Sequence, residues 1–376
     1  MNMTKKNVGL ITMHRVLNAG SALQAYALQR KVQDLGYQCE IIDYVFPNKK
    51  QIDKECFLAS LKRYARVELS NLAWGFPTRI RKKRFQNFYN RFYSLTPKMY
   101  TSPDDLHTDP PSYDVYLTGS DQVWNPRHIK DDTTFFLSFC KKKTAARISF
   151  ASSFATNHIP DEYKKLYSRY LDSYNQISVR ENTGVGIVAE LTGKKAEVVC
   201  DPTLLLDGNQ WSQLAELSSI KIKRPYILAY VLSYSFNPYP QIDTMIDQLQ
   251  KQVKMPVIYL NGRWADRKKG YGNVIKSAGP FEFLWLFQNA DYVITTSLHG
   301  TAFALNFQKP FYSMIENSKK DSRILSLLQL AGAQNRAKLI TDKHINFKAM
   351  DYKFIGKSLE TLRTQSTNYL QNALKS

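Results

Sequence analysis

One of the six histidines in the 376-residue chain stands where it could move a proton. His299 lies in Thr295-Thr296-Ser297-Leu298-His299-Gly300-Thr301, directly after the apolar Tyr292-Val293-Ile294. Hydroxyls, an imidazole and a glycine between a strand end and a helix start can bring an acid to a substrate beside the positive end of a helix. Three other loops carry comparable groups. Asn18-Ala19-Gly20-Ser21 precedes a helical pattern, where open N–H groups and a small residue suit an anion, or serve only as a turn and cap. Gly119-Ser120-Asp121-Gln122-Val123-Trp124-Asn125 joins a glycine able to adopt unusual backbone angles to polar side chains and a large aromatic. It reads either as a ligand contact or as a capped helix start with Trp124 in the core. Ser178-Val179-Arg180-Glu181 delivers an arginine suited to bidentate recognition of a carboxylate or phosphate, or an Arg–Glu surface pair.

Each of these loops needs an element to hold it. Asn7 to Met13 is a strand-length apolar run. Ser21 to Leu35 has helical spacing through Leu23, Ala27, Leu28, Val32 and Leu35, with Gly36 as a stop, and Cys39 to Tyr44 is a second strand. Strand, helix and strand in about forty residues form a βαβ unit with a parallel pair. Further strands are expected at Tyr113–Leu117, Arg147–Phe154, Gln176–Val179 and Glu197–Cys200, with a helix at Glu162–Tyr174. A second α/β series follows: strands at Tyr226–Leu232, Pro256–Leu260, Tyr292–Thr295 and Pro310–Met314, and helices at Pro240–Lys251, Pro280–Gln288 and Thr301–Phe307. An amphipathic helix covers Phe354–Leu374. Alternation of this kind predicts open parallel sheets with ligand loops at their C-terminal edges.

The length favours two domains, 1–205 and 206–376, with the last helix packing back on the first. The region of about 55–100 interrupts the α/β rhythm with two basic helices, Leu61–Leu72 and Thr78–Tyr93. In the second, Phe85, Phe88 and Phe92 share a face while Arg81, Lys82, Lys83 and Arg91 ring the rest. That pattern suits a helical insertion with a solvated basic face, or a helix lying on a membrane surface. Apolar residues make up 43% and aromatics 13% of the chain, enough for full cores. The formal charge of +20 favours an anionic partner: nucleic acid, anionic lipid or a phosphorylated small substrate. The aromatics of the basic segment follow core spacing rather than interleaving with cations on a sheet, which argues against nucleic acid. No apolar run approaches the roughly 20 residues of a membrane span, and no signal-peptide pattern is present, so a cytoplasmic location is expected. Cys39, Cys56, Cys140 and Cys200 lie far apart and read as reduced buried thiols.

The ordered set of loops resembles the polysaccharide pyruvyl transferase family over Val8 to about Arg336. It rests on Asn18 to Leu28 (NAGSALQAYAL), Gly119 to Asn125, Ser178 to Glu181, Asp201-Pro202-Thr203, Ser297 to Gly300 and Asp321-Ser322-Arg323-Ile324. The resemblance implies an α/β chain of two Rossmann-like domains facing across a cleft in a GT-B-like arrangement, acceptor side first and donor side second. It implies transfer of a pyruvyl group from phosphoenolpyruvate to sugar hydroxyls of a surface or exported polysaccharide, closing a ketal. On that basis His299 is the expected general acid, Arg180 and Arg323 hold the donor's carboxylate and phosphate, and Asp121 binds or deprotonates the acceptor. Asn18, Gly20, Ser21, Gly119, Ser120, Gln122, Trp124, Asn125, Ser297, Leu298, Gly300 and Thr301 are expected substrate contacts. No cofactor or metal is expected, since arginines can handle the oxyanions and no metal-ligand spacing occurs. The positive charge suits a glycan acceptor on a lipid diphosphate at the inner membrane face, touched by the basic helix near 79–93. Several family members have Arg-Leu-His where this chain has Ser297-Leu298-His299. The cation must then come from elsewhere, Arg180 or Arg323 being the candidates, or the donor differs. Two other functions fit the same residues: a GT-B glycosyltransferase with a nucleotide-sugar donor, and a glycan- or polyanion-binding protein without catalysis.

Overall fold

Parallel strands dominate the computed structural model, which describes residues 6–46, 76–130, 132–233, 235–263, 266, 274–317, 322–342 and 350–376. The expectations for Cys56, for the helix at Leu61–Leu72 and for Asp321 lie outside these residues. The chain divides into two units. Unit 1 comprises Met1–Arg79, Gln86–Leu205 and Gln365–Ser376, and unit 2 comprises Ile80–Phe85 and Leu206–Thr364.

Unit 1 grows from β1 (Asn7–Ile11), whose Val8, Leu10 and Ile11 are wholly buried. A strand apolar on both faces belongs in the middle of a parallel sheet. It pairs with β2 (Gln38–Ile41) on one side and, beyond α1 (Ala19–Asp34), with the later β3 (Val115–Thr118) on the other. Asn18 caps α1, and Gly36, at φ +92°, ends it as the pattern predicts. The helix 76–92, here α2, and α3 (Pro103–Thr108) precede β3, with the short α4 (Pro126–Ile129) after it. β4 (Ala146–Ser149) joins β3 in parallel. Next come α5 (Asp161–Leu171), β5 (Ser178–Val179), α6 (Asn182–Thr192) and β6 (Glu197–Val198). Isolated bridges Ile148–Gln176 and Ser152–Val179 extend the sheet to the parallel β5–β6 pair. The strand order 2-1-3-4 changes direction between β1 and β3, the place where ligands settle in such sheets. Residues 365–376 finish the unit: Ser366 Oγ accepts from Cys200 N at 2.9 Å, and Tyr369 OH donates to Ser149 O at 3.1 Å.

Unit 2 holds a six-stranded parallel sheet of order β12-β11-β10-β7-β8-β9. Its elements are α7 (Gly208–Ala215), β7 (Ile227–Tyr230), α8 (Gln241–Val253), β8 (Val257–Leu260), β9 (Val274–Ile275) and α9 (Pro280–Asn289). They continue with β10 (Tyr292–Thr295), α10 (Leu298–Asn306), β11 (Phe311–Ile315), α11 (Ser322–Leu330), β12 (Ala337–Leu339) and α12 (Tyr352–Lys375), which runs on into unit 1. This is the doubly wound order of a Rossmann sheet, with its switch between β7 and β10. Trp211 and Phe283 pack edge-on against Phe303 of α10 at 5.2 and 5.3 Å, and Phe283 does the same against Tyr230 at 5.2 Å. Such aromatic pairs add about 0.5–1.5 kcal/mol beyond burial, so α10 is well anchored beneath the switch. Cys39, Cys140 and Cys200 are buried free thiols.

Candidate active site

In unit 2 the loop after β10 is tied to the loop after β7. Thr295 Oγ1 donates to Tyr230 O at 2.7 Å, and Thr296 Oγ1 both accepts from Leu232 N and donates to Leu232 O at 2.8 Å. Ser297 N donates to Thr295 Oγ1 at 3.0 Å. Ser297 caps α10, its Oγ accepting from Gly300 N at 3.3 Å. His299 is thus the second residue of a helix rather than part of a loop that ends at Thr301, because the capping serine starts the helix three residues early. It is buried, in the first turn, at the C-terminal edge of the sheet and at the switch point. Gly300 is dictated by close approach: a Cβ there would lie 2.3 Å from Thr295 Oγ1 and 3.0 Å from Tyr230 Cδ1. Thr301 donates to Ser297 O at 3.0 Å and meets Ser313 Oγ at 2.6 Å, so its hydroxyl serves the helix. Leu298 is buried and Arg323 half-buried in the first turn of α11.

The other three predicted loops converge in unit 1. Ser21 Oγ donates to Asp121 Oδ2 at 2.5 Å. Gln24 Nε2 donates to Thr12 Oγ1 at 2.9 Å, and Thr12 Oγ1 to Ser120 O at 2.8 Å. Arg180 Nη1 donates to Asp201 Oδ2 at 2.7 Å, with Ser120 Oγ in longer contact with both at 3.5 Å. Asp201 Oδ1 accepts from Thr203 N and Oγ1 at 3.0 and 2.8 Å. Glu181 Oε1 gathers three donors, Ser153 Oγ, Phe154 N and Ala155 N, at 2.9–3.1 Å. The loop that carries those donors is tightly bent, with Ala151 and Ala155 both in the left-handed region. Five strand ends therefore build one enclosed polar cluster holding Arg180 and three carboxylates.

Several of the predicted contacts change character here. Burial works against the charge of Arg180, but the fields of Asp201, Asp121 and Glu181 outweigh it and raise its pKa above the ordinary value. Its Nε and Nη2 are buried with no hydrogen-bond partner among the described residues. The charge of Arg180 is thus balanced by these carboxylates, with Nη1 committed to Asp201. Trp124 is wholly buried, stacked on Phe136 at 5.8 Å, its indole N–H donating to Phe135 O at 3.3 Å. It belongs to the core. Asn125 caps α4 and donates to Gln122 Oε1 at 2.6 Å, so these two amides hold each other. Asn18 Oδ1 accepts from Gly20 N and Ser21 N, which occupies two of the helix-start N–H groups. The unusual backbone angle falls on Asp121, at φ +77°, and not on Gly119. Gly119 is needed for its size, since a Cβ would meet Leu10 at 2.9 Å.

The sequence reading passed over His14, Arg15 and Asp43. Asp43 Oδ1 faces His14 Nε2 at 3.1 Å and accepts from Arg15 Nε at 2.5 Å, while its Oδ2 accepts from Arg15 Nη2 at 2.5 Å. Burial would raise the Asp43 pKa, but the bonds from His14 and Arg15 prevail and lower it to about 2. An acid closing the apolar strand pattern CEIIDY was the available signal. Among the described residues no group of three or more His, Cys, Asp or Glu side chains could hold a metal ion.

A family model described as polysaccharide pyruvyl transferase matches residues 18–318. No curated protein matches the chain by sequence. Among solved structures, the UDP-GlcNAc 2-epimerase of Methanocaldococcus jannaschii is similar at TM-score 0.52 and 11% identity, covering 95% of this chain and 92% of that one. The UDP-GlcNAc 2-epimerase of Neisseria meningitidis, bound to UDP-GlcNAc, is similar at TM-score 0.52 and 10% identity, covering 99% and 98%. A putative UDP-N-acetylglucosamine 2-epimerase from Listeria monocytogenes gives TM-score 0.52 at 11% identity, covering 98% and 91%. At such identities the likeness speaks for the fold alone, an α/β fold of the GT-B class.

Proposed function

Because the chain belongs to the polysaccharide pyruvyl transferase family and is a polysaccharide-modifying transferase, we propose that it moves a pyruvyl group from phosphoenolpyruvate to sugar hydroxyls, with His299 as general acid. The observation that carries this reading is the match of the family model over residues 18–318. The position of His299, in the first turn of a helix at the sheet's switch point, supports its role.

The chemistry runs in balanced steps. The His299 imidazolium gives its proton to the methylene carbon of phosphoenolpyruvate, and positive charge develops at C2. An acceptor hydroxyl adds there, its proton leaving to a base. Phosphate departs with its bonding electrons, and a second hydroxyl of the same sugar adds to C2 with loss of its proton, closing the ketal. His299 is reprotonated from solvent. Arg323 is the candidate cation in unit 2 for the donor's charge. The residues do not call for a metal, and turnover should survive a chelator.

The test is phosphate release from phosphoenolpyruvate in the presence of candidate glycans, wild type against His299→Ala. A positioned acid contributes roughly 10²- to 10⁴-fold, so turnover should fall by about that factor while the thermal melt is unchanged. Near-wild-type turnover would remove His299 from the role.

We further propose a cytoplasmic protein whose acceptor is carried on a lipid diphosphate. Arg79, Lys82, Lys83 and Arg91 are exposed along α2, beside Phe76 at 75% exposure. Cations beside an exposed aromatic suit an anionic bilayer surface. Sedimentation with phosphatidylglycerol vesicles but not with phosphatidylcholine vesicles is expected; sedimentation with neither would refute the contact.

A further inference from the structure

We propose that Arg15 is an oxyanion-recognition residue of unit 1, its guanidinium fixed by Asp43 and His14 so that one bidentate edge stays open for a phosphate or carboxylate group.

A guanidinium offers five N–H donors arranged on two edges that each match an oxyanion. Asp43 occupies one edge of Arg15, bonding Nε and Nη2 at 2.5 Å each. The edge formed by Nη1 and the remaining Nη2 hydrogen has no hydrogen-bond partner among the described residues, and the Arg15 side chain is 22% exposed against 6% for Asp43. The buried carboxylate is braced in turn. His14, wholly buried, meets it through Nε2 and meets Thr12 O through Nδ1 at 3.1 Å, and Asp43 N donates to Thr96 Oγ1 at 3.0 Å.

The loop carrying Arg15 is equally restrained. His14 N donates to Thr12 O at 2.9 Å, Asn18 N to Val16 O at 2.6 Å, and Tyr89 OH to Val16 O at 3.4 Å. The fork is thus ordered before any ligand arrives, which removes much of the entropy that an arginine ordinarily loses on binding. Asp43 cancels the net charge at long range, so recognition depends on the short-range fit of the fork.

Location and charge point the same way. Arg15 follows β1, one of the two strands flanking the switch point of its sheet. Arg180, the arginine that the sequence singles out at this edge, gives Nη1 to Asp201 and is buried, whereas the Arg15 side chain is part exposed. The proposed function supplies two anions, the donor phosphoenolpyruvate and a diphosphate on the acceptor. Only the identity of the anion rests on that reading.

The experiment measures binding of phosphoenolpyruvate and of inorganic pyrophosphate to the full chain by calorimetry. Charged hydrogen bonds of this kind predict that Arg15→Ala raises Kd roughly 10- to 100-fold for the anion recognised, with a native circular dichroism spectrum but a lowered melting temperature, since Asp43 then keeps only His14. Arg15→Lys keeps the charge without the fork and should fall between. Asp43→Asn should weaken binding in the wild-type background and add nothing in the Arg15→Ala background, which a purely structural aspartate would not do. Sensitivity of phosphoenolpyruvate binding to Arg15 assigns the site to the donor, and sensitivity of pyrophosphate binding alone assigns it to the acceptor. Wild-type Kd values in Arg15→Ala for both anions, or no binding of either by the wild type, would overturn the proposal. In the first of those cases phosphoenolpyruvate binding itself leaves the donor reading standing.

Discussion

Replacing Arg180 by Met should destabilise unit 1 far more than loss of a surface arginine would. Methionine keeps an unbranched stem to fill the space but removes the positive charge. The four charged groups involved are 0–8% exposed: Arg180 4%, Asp201 2%, Asp121 8% and Glu181 0%. Breaking a buried ion pair from one side costs about 3–5 kcal/mol, because the partner stays behind uncompensated. Here three carboxylates would stay behind, so the upper half of that range is expected. Asp201→Asn alone leaves Arg180 with Asp121 and Glu181 and should cost about 1–3 kcal/mol. In the double variant the charge nearest the lost cation is gone as well, and the cost should fall short of the sum by at least about 1 kcal/mol. Urea unfolding followed by circular dichroism measures these values, and hydrogen exchange at β4, β5 and β6 assigns them to unit 1. An Arg180→Met protein that unfolds at the wild-type urea concentration yet no longer binds phosphoenolpyruvate would refute the reasoning. It would show that the guanidinium serves the substrate instead of the cluster.

Two further outcomes follow from local geometry. Gly300→Ala drives a methyl against Thr295 Oγ1 and Tyr230; overpacking of this kind costs about 1–3 kcal/mol, and the shifted helix turn should cut phosphate release at least about tenfold. Adding Thr295→Ala should restore part of that loss, and no restoration would mean that the contact is not the cause. Asp43 has its pKa lowered to about 2, so its contribution to stability is complete above an unfolded value of about 4 and is lost as pH falls toward 2. Thermal melts across about pH 5 to 2 should therefore drop more steeply for wild type than for Asp43→Asn, and parallel curves would refute it.

Most strands and helices were legible because apolar runs of strand length alternate with helical spacing, and the structure shifts their ends by only a few residues. β9 and β12, of two and three residues, carry too little pattern to detect. That loops at the sheet edges would carry the polar groups was legible too, since strands such as Tyr292–Thr295 end in hydroxyls, imidazole or guanidinium. Whether a given group is open or enclosed was not, because this depends on which distant loops meet. Arg180 and Asp201 are twenty-one positions apart, and nothing local distinguishes a substrate arginine from one that neutralises Asp201. Trp124 shows the same limit: beside three polar residues it reads either as a ligand contact or as a core residue, and only the stacking on Phe136 and Phe154 shows it turned inward. Arg15 was missed because its meaning resides in Asp43, which is far along the chain and pairs with it only once β1 and β2 are aligned.

The closing stretch of unit 1 has a consequence for how the chain is made. Ser366 and Tyr369 bond to Cys200 and Ser149, so the sheet edge that carries the Arg180 cluster is completed by residues 365–376. Domains emerging from the ribosome generally fold in order of synthesis. Unit 1 cannot do so fully: its first 205 residues must wait, with the β4–β6 edge uncovered, while all of unit 2 is translated. At roughly 5–20 residues per second that interval lasts on the order of ten seconds or more, long enough for a chaperone to engage the uncovered edge. Unit 2, whose sheet strands all lie between Ile227 and Leu339, has its whole sheet synthesised before residues 365–376 appear, so the later-made half of the protein can pair its strands before the first-made half is covered.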